Sequence, residues 1–291
     1  METRHISSIA LFANVRKPGP VETAAALAPW IRARGLECRV PADLASLLPG
    51  EMPSPEDDVL NADLVVVLGG DGTTLTVARK LARRRGVMLT VRFGSFGFLA
   101  EVEPEKVEIA LEQVLAGDCN LEVRPMLSTT RLCGGKVVEE HPALNDVALV
   151  RGGSSRLVKI EAFLNDSPLA VYSGDGVLVS TATGSTGYNL AAGGPIVHPT
   201  LDAYIITPIC PHALHFRSLV VPGESRLVLR MAETDGEAQT SVDGQITFPL
   251  RHGDELQVRQ SPFGARFITL PGRPTIYDKV RLRLRWGERL L

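Results

Sequence analysis

The sequence predicts an α/β domain with a Rossmann-like parallel sheet over residues 1–120, then a mainly β domain over 121–270 and a helical segment over 271–291. Three observations carry this reading. Residues 64–68, Leu-Val-Val-Val-Leu, form an apolar run of strand length, suited to a strand covered on both faces of a parallel sheet. The run passes through Gly69-Gly70-Asp71-Gly72-Thr73 into a segment where Leu75, Ala78 and Ala82 recur at helical spacing. After Asn120 helical periodicity gives way to short runs of Val, Leu, Thr and Ile divided by turn signals. A length of 291 residues is enough for two cores.

In order, residues 6–12 read as a first strand, Pro18-Gly19-Pro20 as a turn and 21–34 as an Ala-rich helix, the opening unit of an α/β domain. Residues 37–40 suit a second strand and the polar, Pro-containing 49–58 a loop. The helix after Thr73 gathers Arg79, Lys80 and Arg83 to Arg85 mainly toward its C-terminal end. Residues 87–91 supply another strand. The following Gly94-Ser95-Phe96-Gly97-Phe98-Leu99 puts aromatic rings beside the Gly-Asp-Gly turn if the two strands are neighbours; each ring read alone equally suits the core. Residues 104–117, with an acidic start and Val107, Ala110, Leu111, Val114 and Leu115 on one face, suit a helix closing the domain. In the second domain Cys133-Gly134-Gly135-Lys136, Arg151-Gly152-Gly153-Ser154, Asn165-Asp166-Ser167-Pro168 and Arg251-His252-Gly253-Asp254 each divide two strand-like stretches. Residues 277–286 again look helical.

Composition excludes several classes. With 44% hydrophobic residues, 22% charged residues and a formal net charge of −2, the chain reads as a soluble globular protein, with no nucleic-acid or membrane partner. Its N-terminal apolar stretch is too short and polar for a signal or transmembrane segment. Cys38, Cys119, Cys133 and Cys210 are scattered without a disulfide framework, as suits a cytoplasmic protein. Cys210, His212 and His215 invite a zinc reading, but no fourth ligand is spaced to complete a site.

Two stretches carry chemistry. At the Gly69-Gly70-Asp71-Gly72-Thr73 junction, free backbone N–H groups and the positive end of a helix dipole meet, so phosphate can be held where the Asp71 carboxylate projects. A Walker lysine and the Gly-x-Gly-x-x-Gly order are both absent. The competing reading makes Asp71 a helix cap. The second stretch runs from Ser173-Gly174-Asp175-Gly176 to Gly193-Gly194-Pro195, where a strand enters a loop of small hydroxyl residues and glycines. That loop suits a ligand cradle, with Tyr188 adding a flat face and a hydroxyl. Asn145-Asp146 and Asp243-Gly244, taken alone, read as turns.

Taken together, Gly69 to Thr73, Asn145-Asp146, Asp175-Gly176 with Thr183-Gly184-Ser185-Thr186-Gly187-Tyr188, Gly193-Gly194-Pro195, Pro208-Ile209-Cys210-Pro211-His212, Phe216-Arg217-Ser218-Leu219-Val220, Asp243-Gly244-Gln245 and the closing Tyr277 to Gly287 stretch resemble the NAD kinase family, in its order and over nearly the whole chain. The resemblance implies an NAD kinase/diacylglycerol kinase-like fold whose last segment packs back on the first domain. It implies phosphoryl transfer from ATP or polyphosphate, with Mg²⁺ or another divalent metal, to the 2′-hydroxyl of the adenosine ribose of NAD, giving NADP. Asp71 would be the general base, and Gly72 would let backbone approach the ligand. Asn145, Asp146, Arg156, Asp175, Thr186, Gly187, Tyr188, Asn189, Leu190, Ala191 and Gln245 fall where the family holds the dinucleotide, with Ser173 beside them. A homo-oligomer, dimer or tetramer, is also implied. The chain departs from the family's common residues at Arg92, Ser95, Ser173, Ala182, Gly187, Asn189 and Ala191, positions that bear on selectivity between NAD and NADH. Two other functions compete. Lipid kinases of the diacylglycerol and sphingosine type share the Gly-Gly-Asp-Gly-Thr turn, but their Gly-Thr-x-Asn-Asp segment is absent here. A non-catalytic dinucleotide sensor would keep the pocket without needing Asp71.

Overall fold

The computed structural model of the protein describes residues 6–84, 86–94, 97–153, 157–232 and 238–286. In chain order, the described elements of the first part are β1 (Ser8–Ala13), α1 (Pro18–Ala33), β2 (Glu37–Arg39), α2 (Ala42–Ala45), α3 (Glu56–Leu60), β3 (Leu64–Gly69), α4 (Asp71–Leu81), β4 (Val87–Arg92), α5 (Val107–Leu115) and β5 (Asn120–Arg124). There follow β6 (Leu127–Cys133), β7 (Lys136–Ala143), β8 (Asp146–Arg151), β9 (Val158–Leu164), β10 (Ser167–Gly174), β11 (Gly176–Thr181), a 3-10 turn (Thr183–Thr186) and α6 (Tyr188–Ala191). The chain ends with β12 (Ala203–Ile209), β13 (Leu219–Pro222), β14 (Leu227–Met231), β15 (Ala238–Val242), β16 (Ile246–Leu250), β17 (Asp254–Gln260), β18 (Ala265–Thr269) and α7 (Ile276–Leu284).

Two compact units result, Met1–Val123 with Ala265–Leu291, and Arg124–Gly264. The division thus falls at 264/265, six residues before the 270/271 boundary read from the sequence. The cause is β18, which pairs in parallel with β4 through Phe267 and Met88. Strand character alone does not say which sheet a strand joins.

In the first unit the sheet order is β2-β1-β3-β4-β18-β5. Pairing is parallel from β2 through β1, β3 and β4 to β18. All six residues of β3 are buried, as its unbroken apolar run requires. Ile9, Leu11, Val66, Leu68, Leu89 and Val91 share a core with Leu27 and Ile31 of α1 and Leu111 and Val114 of α5. The chain leaves β1 for β2 on one side, and β3 lies on the other. The C-terminal ends of β1 and β3 therefore flank a topological switch point, where open α/β sheets bind ligands. Pro18-Gly19-Pro20 is the first turn of α1 rather than a turn before it, because the fixed φ and missing N–H of proline suit the start of a helix. Helix α7 opens with a capping box, Thr275 and Asp278 each bonding the other's backbone N–H.

The second unit is two six-stranded antiparallel sheets among the described residues, ordered β10-β9-β14-β17-β6-β7 and β13-β12-β11-β8-β15-β16. Alternate residues of both meet in one core: Val147, Leu149, Val177, Val179 and Ile206 from the second sheet, Ile160, Leu227, Leu229, Leu256 and Val258 from the first. Two of the four turn signals, together with Asp243-Gly244, become hairpins with two successive left-handed residues, whereas the turn at 251–254 joins β16 of one sheet to β17 of the other. The left-handed pairs are Gly134 and Gly135 (φ 57° and 79°), Asn165 and Asp166 (49° and 68°), and Asp243 and Gly244 (51° and 65°). Among the described residues no helix is long and apolar enough to cross a membrane.

Leu11 is fully buried in the first core. Leu11→Ala is expected to cost about 2–5 kcal/mol of stability, read as a lower midpoint in urea unfolding.

Candidate functional site

In the first unit β3 ends at Gly69 and α4 begins at Asp71, with Gly70 as N-cap. Gly69 leaves room for Thr73: a Cβ at Gly69 would lie 2.4 Å from Thr73 Oγ1. Asp71 does not cap the helix. Its carboxylate crosses to the loop after β4 and accepts the backbone N–H groups of Phe98 (2.9 Å) and Leu99 (3.2 Å), one on each oxygen. Gly97 makes this approach possible, since a Cβ there would stand 2.1 Å from Asp71 Oδ1. Each carboxylate oxygen keeps a lone pair for a further donor. The half-buried carboxylate thus stands in a defined orientation beside the N-terminus of α4. Phe93 N–H closes on Gly69 O (3.1 Å), and Asn14 N–H on Leu68 O (2.9 Å), so three strand exits converge here. Lys17 Nζ would lie 3.6 Å from a Cβ on Gly94, placing a cation over the same corner. Ser95 and Phe96 lie outside the described residues.

In the second unit Asp243 occupies the β15–β16 hairpin, yet its side chain is buried. The carboxylate accepts the backbone N–H groups of Leu144 (3.1 Å), Asn145 (2.7 Å) and Asp146 (3.1 Å). From the other side, Thr181 N–H donates to Asn145 O (2.9 Å) and its hydroxyl to Leu144 O (2.6 Å), while accepting from Gly184 N–H (2.9 Å). Gly184 packs so closely that a Cβ would come 2.1 Å from Asn145 O. The Asn145-Asp146 junction is therefore clamped by a carboxylate and by the start of the Thr183–Thr186 turn. Asn145 Oδ1 and Thr183 Oγ1 are buried there without a hydrogen-bond partner, as expected where a ligand completes the bonding.

Electrostatics gather the remaining groups. Burial, and then the neighbouring charge of Asp243, push the Asp146 carboxyl up to about 7. Tyr188 is 44% exposed; burial raises its hydroxyl, and so do Cys210, Asp146 and Asp175, which places these groups around one corner. Asp175 is paired with Arg151 (Nε to Oδ1, 3.0 Å).

The expected site residues thus take different positions. Ser173 is half-buried, its carbonyl accepting from His212 N–H (2.8 Å). Thr186 and Leu190 are half-buried, and Gly72, Gly187, Tyr188, Ala191 and Gln245 are exposed. Asn189 faces inward: fully buried, its amide donates to Ser185 O (3.2 Å) and Pro195 O (3.0 Å) and accepts from Thr207 Oγ1 (2.7 Å). Its side chain therefore shapes the loop. Arg156 lies outside the described residues. Cys210, His212 and His215 form no metal cluster, and no group of three or more His, Cys, Asp or Glu that could hold an ion occurs among the described residues. Sequence reasoning missed Arg151, Thr181 and the clamp formed by Asp243. The Asp-Gly dipeptide signalled a turn, but nothing local gave the direction of its carboxylate.

The folded state holds the Asp146 proton more tightly than the unfolded chain, whose aspartates titrate near 3.9. This contribution to stability is full below about 4 and is lost as pH rises through about 7. Asp146→Asn is expected to gain stability relative to the unaltered protein over that window, by up to about 1.4 kcal/mol per pH unit, in urea unfolding at a series of pH values.

Residues 9–119 match the family model of the ATP-NAD kinase N-terminal domain, and 144–270 that of the ATP-NAD kinase C-terminal domain. The chain is 38% identical over 285 residues to an NAD kinase of Geotalea daltonii and, equally, to one of Geobacter sulfurreducens, covering 98% of this chain and 100% of each relative. Among solved structures it is similar to yeast NADH kinase complexed with NADH, with a TM-score of 0.87 and 26% identity over 99% of this chain and 91% of that one. An NAD kinase from Archaeoglobus fulgidus in complex with ATP shares the fold, with a TM-score of 0.72 and 23% identity over 96% and 97%. With both halves matched in order and relatives aligned from end to end, the chain belongs to the NAD kinase family.

Proposed function

We infer that this chain catalyses the reaction of its family: it phosphorylates NAD at the 2′-hydroxyl of the adenosine ribose to give NADP, with Asp71 as the general base. The observation that carries the role of Asp71 is its geometry. A carboxylate oriented by two backbone N–H groups beside a helix N-terminus can take the hydroxyl proton while phosphate is held by the helix end. As that proton passes to Asp71, the ribose oxygen bonds to the terminal phosphorus of the donor, and the bond from that phosphorus to the bridging oxygen breaks, releasing a nucleoside diphosphate from ATP or a shortened chain from polyphosphate. Such transfers depend mainly on position and charge neutralisation.

ATP is the donor suggested by the family's description, with polyphosphate as the second donor to test. Without a gathered ligand set among the described residues, a resident metal does not fit. A divalent cation would arrive on the donor's phosphates, as Mg²⁺ commonly does. In the second unit Asn145 Oδ1 and Thr183 Oγ1 supply the unpartnered polar atoms a dinucleotide would meet. Tyr188 offers a stacking face, and Asp146 and Asp175 offer oxygens to ribose hydroxyls or the adenine amine. Ser173, Thr186, Gly187, Leu190, Ala191, Gln245, Gly72 and Arg156 complete the proposed set, with Asn189 acting through the loop it anchors. The likeness to a structure holding NADH makes the reduced dinucleotide a substrate to test beside NAD. We place the protein in the cytoplasm, where its free cysteines stay reduced, as a homo-oligomer, dimer or tetramer. The lipid-kinase and sensor readings are not favoured, since relatives matched end to end are NAD kinases and Asp71 is present and oriented.

Purified protein with NAD, Mg²⁺ and either ATP or polyphosphate is expected to form NADP; no product with either donor overturns the reading. Asp71→Asn is expected to retain the thermal midpoint and NAD binding while turnover falls by about 10²- to 10⁴-fold. Asn145→Ala is expected to raise KM for NAD by roughly 10-fold with a smaller effect on kcat, because one hydrogen bond in a buried site is lost.

A further inference from the structure

We propose that Lys279, on the C-terminal helix α7, is a positioning residue for the phosphoryl-transfer base; the proposal rests on Asp71 acting as that base. Lys279 is 4% exposed, and a buried ammonium is costly unless opposing groups surround it. Here it donates to Phe98 O (3.1 Å) and to Glu101 Oε1 (3.2 Å). Glu101 is in turn held by Arg273 (2.6 Å), whose other nitrogen bonds Glu122. The ammonium thus bridges the Glu101 carboxylate and the Phe98 carbonyl.

That carbonyl belongs to the peptide group joining Phe98 to Leu99, and the N–H of the same group is the one that donates to Asp71 Oδ1 at 3.2 Å. A cation on the oxygen of a peptide draws electron density toward it and makes the N–H a stronger donor. Lys279 therefore acts on the Asp71 carboxylate through one peptide group, fixing the loop that orients it and strengthening the bond that holds it. The same helix also grips Phe98 by its ring: the Arg283 guanidinium lies 5.3 Å from the ring centroid. Lys279 stands 181 residues after Phe98, so the end of the chain sets the angle of a carboxylate near its beginning.

The test compares Lys279→Met, which keeps most of the apolar stem and leaves Glu101 paired with Arg273, with Lys279→Arg, which restores the charge. NADP formation is measured at saturating ATP, at a temperature where circular dichroism shows each variant folded. Lys279→Met is expected to lower kcat by on the order of 10- to 100-fold with KM for NAD within about two-fold, and Lys279→Arg to recover part of kcat. Should Lys279→Met fail to fold, Lys279→Gln is judged by the same kcat and KM criteria. A folded variant with unchanged kcat, or one whose loss lies in KM alone, overturns the proposal. Asp71→Asn is run in parallel: if it is inactive while Lys279→Met turns over normally, only the positioning role fails, whereas an active Asp71→Asn removes the base itself.

Discussion

An aspartate that accepts from consecutive backbone N–H groups is the interaction on which both candidate sites rest. Asp71 takes the N–H groups of Phe98 and Leu99; Asp243 takes those of Leu144, Asn145 and Asp146. Charge-assisted bonds of this kind contribute about 1.5–3 kcal/mol each. They also do what a hydrophobic contact cannot, fixing the direction of a backbone segment. In one unit the carboxylate is itself the proposed reactive group, and the loop it binds holds it in place. In the other the carboxylate is a clamp, and the segment it binds presents Asn145 and Asp146.

Glycine makes both arrangements sterically possible. Side chains at Gly97 and Gly184 would collide with Asp71 Oδ1 and Asn145 O, each at 2.1 Å. These contacts explain glycines that a turn preference alone does not, because neither residue has a positive φ. Space and charge act together: close packing excludes water from Asp146, and the same burial pushes its carboxyl toward neutrality next to Asp243. A carboxyl poised near 7 is a hydrogen-bond donor in one protonation state and an acceptor in the other.

Asn189 shows how one residue type serves an unexpected role. Its place in a Gly/Ser/Thr-rich loop suggested ligand contact, yet its amide is spent inside the fold on Ser185, Pro195 and Thr207. The loop's outward face, with Gly187, Tyr188 and Ala191, is held in shape by that inward anchor. Gly194 accommodates it, as a Cβ there would lie 2.0 Å from Asn189 Oδ1.

The sequence alone determined the two-part architecture, the buried β3 strand, the turn at Asp71 and most hairpins, because apolar periodicity and turn chemistry are local properties of the chain. It also carried the family, through motifs kept in order over nearly its full length. Only the tertiary structure decided that β18 completes the first sheet, that Asp71 reaches Phe98 and Leu99 rather than capping its helix, and that Asp243 clamps Asn145 and Asp146. It decided likewise that Lys279 meets Phe98. These are pairings between residues 27 to 181 positions apart, and no local pattern specifies which buried carbonyl or N–H a distant charged side chain will reach.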